Sequence, residues 1–375
     1  MPWKESSLVK QREEFVRLAL APGAKVVQLC DRYGISRKTA YKWIDVYQKA
    51  GVSGLVDRSR RPHHSPKRVS DEIEQAVLDV AYCYPAWGAR KLHRIVSRDR
   101  CDVPSVSTIQ AILKRHGRVC QGVPASHRAV GRFEHPKPND LWQMDFKESI
   151  LLYKGHADAL TVLDDHSRFS LCLRACADQR TNTVQQALQE AFRCYGLPRR
   201  MTMDNGSPWG DDGASPYTRF TVWLLKLGIG VSHSRPYHPQ TQGKDERFHR
   251  TLKAELLQQR IFDSPVHLQS EFDRWRHQYN TVRPHEGIGM QTPIERYAPS
   301  PMSYPERIPT VEYDTHDHVR KVCQKSLVSW NGHRIRVGKA FIGENVAVRT
   351  TQDESTVEIY FATHRIKIID LKNLK

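Results

Sequence analysis

Apolar residues recur at helical spacing through the N-terminal third of the chain. Between residues 7 and 50 this spacing predicts three short helices. Gly34 suits the end of the second helix and Ser36 the start of the third, so these two helices form a helix–turn–helix arrangement. Residues 70–117 predict three more helices, which either repeat that arrangement or form a plain three-helix packing unit.

The hydrophobic pattern changes near residue 139. Strand-forming runs on both sides of a turn at 165–167, followed by alternating helices and strands, predict a mixed α/β domain. The later elements are a helix at 181–195, a strand at 199–204, a helix at 220–227, a strand at 229–232, a long helix from Gly243 and a helical segment at 264–297. Prolines between 299 and 309 mark a linker, and five short strands in the last part predict a small β-barrel.

These patterns predict a multidomain α/β protein with all-α helix-turn-helix modules at the N-terminus, a mixed-sheet core and a small C-terminal β-barrel. The predicted boundaries are 1–54 for the helix-turn-helix domain, 55–69 for a basic linker, 70–117 for the second helical domain, 118–137 for a further linker, 138–300 for the core with a C-terminal helical extension, 301–310 for a Pro-rich linker and 311–375 for the β-barrel.

Lysine and arginine outnumber aspartate and glutamate by 58 to 41, which gives a net charge of +17 and a pI near 9.6. A charge of this sign favours a polyanionic partner, either nucleic acid or an anionic membrane surface. The membrane is the weaker alternative, because no apolar run approaches the roughly 18–20 residues of a spanning helix and no signal peptide is evident. Eight scattered cysteines without a Cys-x-x-Cys pair indicate reduced thiols and a cytosolic protein.

Hydrogen-bond donors are concentrated at the start of the third predicted helix. Such a donor-rich end is expected to enter the major groove of DNA. Its members are Ser36, Arg37, Lys38, Thr39, Tyr41 and Lys42. The basic linker adds Arg58, Arg60 and Arg61, which would lie along phosphates or in a minor groove. The alternatives are a solvated basic helix pair that touches no DNA and a linker that is only a spacer.

Three acidic residues stand where a strand end or a helix start would hold them rigidly. Asp145 follows an apolar run, Asp204 closes a short strand ahead of an Asn-Gly turn, and Glu246 lies in the first turns of a helix. Phosphodiester chemistry needs an activated nucleophile and neutralisation of growing charge, and two divalent ions supply both. Three carboxylates without Cys or His suit two Mg²⁺ ions, for which Mn²⁺ can substitute.

Glu246 shares its predicted helix with an apolar stripe and two cations. Arg250 and Lys253 follow Glu246 at positions four and seven, and they would face a DNA backbone. The stripe that would face the core is Phe248, Leu252 and Leu256. Other acids are interpreted as non-ligands, with Asp164 and Asp165 as a turn and its cap, and Asp211, Asp212 and Asp245 as solvated side chains.

At these residues the chain resembles bacterial insertion-sequence transposases with a retroviral-integrase-type catalytic core. The matching blocks are Trp142-Gln-Met-Asp145, Asp204-Asn-Gly-Ser, Pro239-Gln-Thr-Gln-Gly, Glu246-Arg-Phe-His-Arg-Thr-Leu-Lys253, Tyr279-Asn, Arg283-Pro-His and Thr292-Pro. Two features depart from the family pattern: Met203 stands where Thr or Ser is usual, and 42 positions separate Asp204 from Glu246. Residues 209–217 are the expected insertion in that longer step.

The resemblance implies a ribonuclease-H-like core in which Asp145, Asp204 and Glu246 form an Asp-Asp-Glu (DDE) triad with two Mg²⁺ ions. It implies a polynucleotidyl transferase that binds terminal inverted repeats, cleaves DNA and transfers strands. Its partners would be double-stranded DNA, at element ends and at the target, and further copies of itself, at least as a dimer. The expected location is the bacterial cytoplasm, at the nucleoid. Two alternatives stay open: a helix-turn-helix regulator with a non-catalytic core, and a ribonuclease-H-like nuclease without strand transfer.

Overall fold

The computed structural model describes residues 7–57, 69–119, 134–210, 216–233, 243–258, 260–351 and 355–373. The chain divides into two compact units, residues 1–68 and 69–375. The linker residues predicted to bind DNA, Arg58, Arg60 and Arg61, lie outside the described residues, as do Asp211 and Asp212. Within the described ranges, none of the helices combines the length and the apolar character needed to cross a bilayer.

Three helices form the first unit, as the apolar spacing predicts: α1 (Leu8–Ala19), α2 (Val26–Tyr33) and α3 (Arg37–Ala50). Gly34 ends α2 with a left-handed backbone, φ 62°. The Ser36 hydroxyl caps α3 by accepting a hydrogen bond from the backbone N–H of Thr39 at 3.2 Å. The buried core consists of Phe15, Val16, Cys30, Ala40 and Leu55. The short turn therefore leaves the start of α3 facing solvent.

The second unit begins with three more helices, α4 (Asp71–Cys83), α5 (Ala89–Asp99) and α6 (Val106–Arg115). Serine caps start two of them, because Ser70 and Ser105 accept hydrogen bonds from backbone N–H groups in the first turns of α4 and α6. Their shared core is Val77, Ala81, Trp87, Ala89, Leu92, Val96, Ile109, Ile112 and Leu113. The helices predicted over 70–117 are therefore present, and they pack as one helical unit.

Glu74 joins α4 to the end of α6 through a carboxylate that is largely buried. It accepts hydrogen bonds from the Arg115 guanidinium at 2.7 Å and from the His116 ring at 2.8 Å, and these bonds hold its pKa below the usual range. Because the folded-state pKa is lowered, the stabilisation is present above the unfolded pKa of glutamate and is lost as pH falls through the folded value.

We expect Glu74→Gln to lower the free energy of hydrogen exchange of the α4–α6 amides by about 1 kcal/mol at neutral pH. The difference from the wild type should vanish in acid, where Glu74 is protonated in both folded and unfolded chains. As a control, Glu72→Gln at an exposed position of α4 should change the exchange free energy by less than about 0.5 kcal/mol. A difference that is the same at every pH would contradict the ion-pair explanation.

A five-stranded sheet forms the centre of the second unit. β1 (Trp142–Leu151), β2 (His156–Asp164) and β3 (Ser170–Cys176) are antiparallel neighbours, whereas β4 (Arg200–Met203) and β5 (Gly230–His233) run parallel to β1. The strand order is β3-β2-β1-β4-β5. The mixed sheet predicted from the sequence is therefore confirmed, and the strand that carries Asp145 lies at its middle.

Helices cover both faces of this sheet. α7 (Thr181–Tyr195) and α8 (Arg219–Lys226) pack on one face, and α9 (Gly243–Leu252) and α10 (Pro265–Thr281) pack on the other. A five-residue π-helical turn, Lys253–Leu257, continues α9. Side chains of β2 alternate between the two layers: Leu160 and Val162 face α7 and α8, whereas Ala159 and Leu163 face α9 and α10.

The C-terminal region consists of two antiparallel sheets around one core. Their strands are β6 (His318–Lys321), β7 (Leu327–Trp330), β8 (His333–Arg336), β9 (Asn345–Thr350), β10 (Thr356–Phe361) and β11 (His364–Asp370), in the orders β11-β10-β9-β6 and β7-β8. Five of these strands match the predicted ones. The additional strand, β6, is exposed at all four residues, so it lacks the alternation that reveals the others. Closure of the two sheets into a barrel stays a prediction.

The helical segment predicted at 264–297 ends earlier than expected. α10 stops at Thr281, and only short 3₁₀ turns follow, at Glu286–Ile288 and Pro293–Glu295. The residue before a proline is disfavoured in the α conformation, and Arg283 precedes Pro284. The sequence Arg283-Pro therefore prevents a single helix across the whole segment.

Candidate active site

Two of the three predicted acids come from neighbouring strands. In the parallel β1–β4 pair, Trp142 lies opposite Met201. Three residues further along both strands, Asp145 is level with Asp204, at the point where β4 has just ended and β1 continues. The strand register therefore places the two aspartates side by side on neighbouring central strands, although 59 positions separate them in the sequence.

Asp145 is held by its own backbone and by a threonine of β2. Its carboxylate accepts the N–H of Phe146 at 2.8 Å, and the Thr161 hydroxyl donates to its backbone carbonyl at 2.9 Å. The Thr161 hydroxyl also contacts Nε2 of His249, on α9, at 2.9 Å. Because the hydroxyl has given its only proton to the carbonyl, it accepts the bond from Nε2–H.

The remaining ring nitrogen of His249 faces the predicted metal ligand. Nδ1 lies 3.8 Å from a carboxylate oxygen of Asp145. Burial, and then the positive charge of Lys147, lower the pKa of His249 to about 4, so the ring is neutral at pH 7. A neutral ring with its proton on Nε2 therefore leaves Nδ1 as an acceptor beside Asp145.

The carboxylate of Asp204 is held by residues of the loop that follows β4. Its Oδ1 accepts hydrogen bonds from the N–H of Gly206 at 3.0 Å and from the indole N–H of Trp209. Trp209 is 1% exposed and stacks on Phe146, the residue after Asp145, with ring centroids 5.3 Å apart. Trp209, the first residue of the expected 209–217 insertion, therefore belongs to the core beneath both aspartates, and the insertion itself stays a prediction. Residues 211–215 lie outside the described part.

The helix α9 carries Glu246 on its solvent side. The predicted stripe of Phe248, Leu252 and Leu256 is buried. Glu246, Arg250 and Lys253 are exposed and follow one another along the opposite side of the helix and its π-helical continuation. One acid and two cations are therefore presented together to solvent.

Asp245, next to Glu246, points into the protein. It is 0% exposed, and neither carboxylate oxygen has a hydrogen-bond partner within the described residues. Burial, and then the negative charges of Asp145 and Asp165, raise its pKa well above the usual range. The interpretation of Asp245 as solvated is wrong, because adjacent helical residues point about 100° apart and Asp245 lies on the side of α9 that packs on the sheet.

Asp164 and Asp165, which the sequence assigns to a turn rather than to the metal site, lie at the β2–β3 turn. The Asp164 carboxylate accepts the N–H of Ser167 at 2.8 Å, which is the turn contact that the sequence predicts. Asp165 accepts a hydrogen bond from the Gln143 side chain at 2.7 Å and forms an ion pair with Lys244. Asp165 therefore also ties the start of α9 to β1, a role that its sequence context does not reveal.

Profiles of known families match most parts of the chain. Two profiles described as integrase core domain match residues 135–239 and 227–293, and the IS481 family transposase C-terminal domain matches residues 317–375. A helix-turn-helix domain matches residues 11–63 and a homeodomain-like domain matches residues 39–113. The chain belongs to the transposase and integrase family.

Individual relatives of this transposase-family chain are distant. The insertion element IS476 uncharacterized 39.2 kDa protein of Xanthomonas euvesicatoria is 24% identical over 270 residues, which are 70% of this chain and 75% of the relative. The transposase for transposon Tn552 of Staphylococcus aureus is 26% identical over 254 residues, 60% of this chain and 51% of the relative. A chain of the simian T-cell lymphotropic virus intasome with PP2A regulatory subunit B56 gamma aligns over 80% of this chain and 98% of its own, with 16% identity and a TM-score of 0.38.

The predicted DNA contacts at the start of α3 lie on one exposed surface. Five of them are exposed, namely Ser36, Arg37, Lys38, Tyr41 and Lys42. Thr39 is partly buried, and its hydroxyl lies 2.9 Å from that of Ser36. This surface offers donors and positive charge in the geometry of a recognition helix.

The donors of the predicted triad suit a hard divalent cation. Asp145, Asp204 and Glu246 offer only carboxylate oxygens, which Mg²⁺ prefers. Across the described ranges, no three His, Cys, Asp or Glu side chains are gathered closely enough to hold a metal ion. The structure therefore places the two aspartates side by side on neighbouring strands and leaves Glu246 exposed on a helix of the same domain, shortly after the undescribed residues 234–242.

Four site residues were missed by sequence reasoning. His249 and Asp245 are four positions apart, so helical spacing relative to the buried Phe248 would have placed both toward the sheet. Trp209 is a lone large aromatic in a loop of Gly, Ser, Pro and Asp, which is a usable signal for burial. Thr161 has no local signal, because its position opposite Asp145 depends on strand register.

Proposed function

We propose that the chain is a DDE-type DNA transposase, which cleaves the ends of an insertion sequence and joins them to target DNA. The observation that carries the proposal is the alignment of Asp145 with Asp204 on neighbouring parallel strands, with His249 of the helix that bears Glu246 lying 3.8 Å from Asp145. The strand order, with three antiparallel strands and two parallel ones, supports a ribonuclease-H-like core. Membership of the transposase and integrase family supports phosphodiester transfer as the reaction class.

Asp145, Asp204 and Glu246 would hold two Mg²⁺ ions, for which Mn²⁺ can substitute. When bound, such ions activate a water or a DNA 3′-hydroxyl and neutralise charge on the reacting oxygens. The chain's own residues orient the ligands, since Thr161 holds the backbone of Asp145 and Trp209 holds the carboxylate of Asp204. We expect no covalent protein–DNA intermediate, because this chemistry needs no Ser or Tyr nucleophile.

The DNA would contact two surfaces of the chain. Arg250 and Lys253 would bind phosphates beside Glu246, and the exposed start of α3 would read the element ends in the major groove. The linker contacts Arg58, Arg60 and Arg61 remain proposals from the sequence alone. Two ends must be processed together, which requires at least a dimer. The C-terminal sheets, proposed as a small barrel, would complete the multidomain protein.

The proposal is tested with the purified full chain, a duplex that carries one end of its own element, and a supercoiled target. We expect cleaved ends and joined products with Mg²⁺, none with EDTA, and recovery with Mn²⁺. Cut ends without joined products would favour a nuclease, and end binding without cutting would favour a regulator. A covalent protein–DNA adduct on a denaturing gel would contradict the proposed chemistry.

The Trp209→Phe variant tests how Asp204 is oriented. Phenylalanine retains the stack on Phe146 but cannot donate a hydrogen bond to the carboxylate. A hydrogen bond to a charged group contributes about 1.5 kcal/mol or more, so the cleavage rate should fall about tenfold with end binding unchanged. Trp223→Phe is the matched control, because Trp223 is buried in the same core. Equal losses in both variants would show that the indole acts only by packing.

A further inference from the structure

Glu255 is a buried carboxylate in the π-helical turn that continues α9, and the proposed chemistry makes no use of it. Its side chain is 7% exposed. One oxygen, Oε1, accepts hydrogen bonds from Nε of Arg283 at 2.8 Å and from the indole N–H of Trp87 at 3.1 Å. The other, Oε2, accepts the indole N–H of Trp275 at 3.3 Å. Three donors from separate parts of the fold therefore converge on one negative charge.

Two of these partners connect Glu255 to the turn of α9 that carries Glu246. Trp275 of α10 packs edge-on against Phe248, with ring centroids 5.4 Å apart. The guanidinium of Arg283 lies 5.6 Å from the ring of Tyr279, which also packs edge-on against Phe248 at 5.0 Å. Aromatic pairs favour this edge-to-face geometry, so they restrict the position of Phe248, two residues after Glu246.

The third partner belongs to the helical unit α4–α6. Trp87 lies in the α4–α5 turn, is 4% exposed and stacks on Tyr84 with centroids 3.9 Å apart. Lys91 of α5 is half-buried nearby, and its burial followed by the charge of Arg283 lowers its pKa to about 8. Val282, beyond the end of α10, packs against the core of this unit. The helical unit is therefore attached to the core at the end of the Glu246 helix.

We propose that Glu255 is a positioning residue through which the helical unit α4–α6 sets the orientation of the Glu246 helix. The inference rests on the proposed role of Glu246. A buried carboxylate that loses one donor is left with an unsatisfied charge, so its contacts favour one arrangement of the elements that supply them. A shift of the helical unit, for example on binding DNA, would therefore be transmitted to α9 through Trp87.

The Trp87→Phe variant tests this contact without changing α9. Phenylalanine retains the stack on Tyr84 but cannot donate to Glu255. In the full chain, hydrogen exchange of peptides from 243–258 should be about tenfold faster than in the wild type, because one hydrogen bond to a charged group is lost. The exchange rate of α7 should not change. Glu255→Gln should accelerate this exchange more, because the side-chain NH2 of glutamine is itself a donor and would face the N–H groups that now donate to Glu255. Trp330→Phe is the control, since that buried indole nitrogen has no hydrogen-bond partner among the described residues.

A double variant separates a shared contact from two unrelated effects. Exchange over 243–258 in Trp87→Phe/Glu255→Gln should be no faster than in Glu255→Gln alone, because both changes remove the same interaction. Unchanged exchange over 243–258 in the two single variants would overturn the proposal. Equal acceleration in α7 would also overturn it, since it would indicate general loosening rather than positioning of α9.

The metal dependence of cleavage provides a second readout, which simple loss of stability does not move. The half-saturating Mg²⁺ concentration should rise about fivefold in Trp87→Phe, with affinity for element ends unchanged, because a misoriented Glu246 weakens its contribution to the metal site. An unchanged half-saturating concentration would overturn the link to Glu246. Absence of metal-dependent cleavage in the wild type would instead overturn the proposed function, and the exchange data would still decide whether Glu255 positions α9.

Discussion

Asp145→Asn should abolish Mg²⁺-dependent cleavage, by more than about a thousandfold, while binding to element ends remains intact. Asparagine has the same shape, and its side-chain oxygen can still accept the N–H of Phe146. It lacks the negative charge that a divalent cation requires of the residue aligned with Asp204. End binding is assigned to α3 in the first unit, so it should not depend on this charge. Single-turnover cleavage and fluorescence anisotropy on one labelled duplex measure the two properties separately.

A control for this variant removes an acid of the same domain outside the site. Asp263 is exposed and pairs with His267 at 3.1 Å, so Asp263→Asn should cleave at the wild-type rate. Normal strand transfer by the Asp145→Asn variant would contradict the proposed triad. Cleavage lost together with end binding would point to misfolding, which hydrogen exchange of the β1–β2 pair detects.

The adjacent acids Glu246 and Asp245 should respond in opposite ways to neutral replacement. Glu246→Gln should abolish cleavage as completely as Asp145→Asn, because it removes the third carboxylate of the proposed triad. Asp245→Asn should retain cleavage and raise the thermal unfolding temperature. A buried acid whose oxygens have no partner among the described residues destabilises the folded chain, and an uncharged amide of the same shape reduces that cost.

The pair of variants decides which acid completes the site. Cleavage rates under single-turnover conditions, with unfolding temperatures from the same preparations, are the measurements. If Asp245→Asn were inactive and Glu246→Gln active, the inward-facing acid would be the third ligand, and the alignment of Glu246 with Arg250 and Lys253 would be only a surface feature. Inactivity of both would mean that the two carboxylates act together.

Much of the fold follows from short-range patterns. Ser36, Ser70 and Ser105 mark helix starts because a cap involves residues only three apart, and the structure has a cap at each one. The mixed sheet follows from the change in hydrophobic periodicity near residue 139. The prediction of one helical segment over 264–297 overlooked Pro284, which disfavours the α conformation at Arg283. The exposed strand β6 was missed because it has no buried face.

The features of the candidate site also fall into those predicted from the sequence and those that were missed. Asp145, Asp204 and Glu246 were found because each has a distinctive local context. The inward direction of Asp245 was missed although its helical spacing from Phe248 indicates it. The contact of Trp209 with Asp204 was not found, because it depends on how the β4–α8 loop packs on the sheet. Such contacts join residues that are neighbours in space, and no spacing in the sequence encodes them.

The sequence by itself determined the chemical types at the proposed site: carboxylates that would hold a hard cation, cations that would bind phosphate, and a donor-rich helix start that would read DNA. Hydrophobic periodicity also determined which side of α9 is buried, since helix geometry relates neighbouring residues directly. Only the tertiary structure decided that Asp145 is level with Asp204, because parallel strands far apart in the chain set that register. It also decided that Trp87, Trp275 and Arg283 converge on Glu255, because packing of separate elements brings together donors that the sequence keeps far apart.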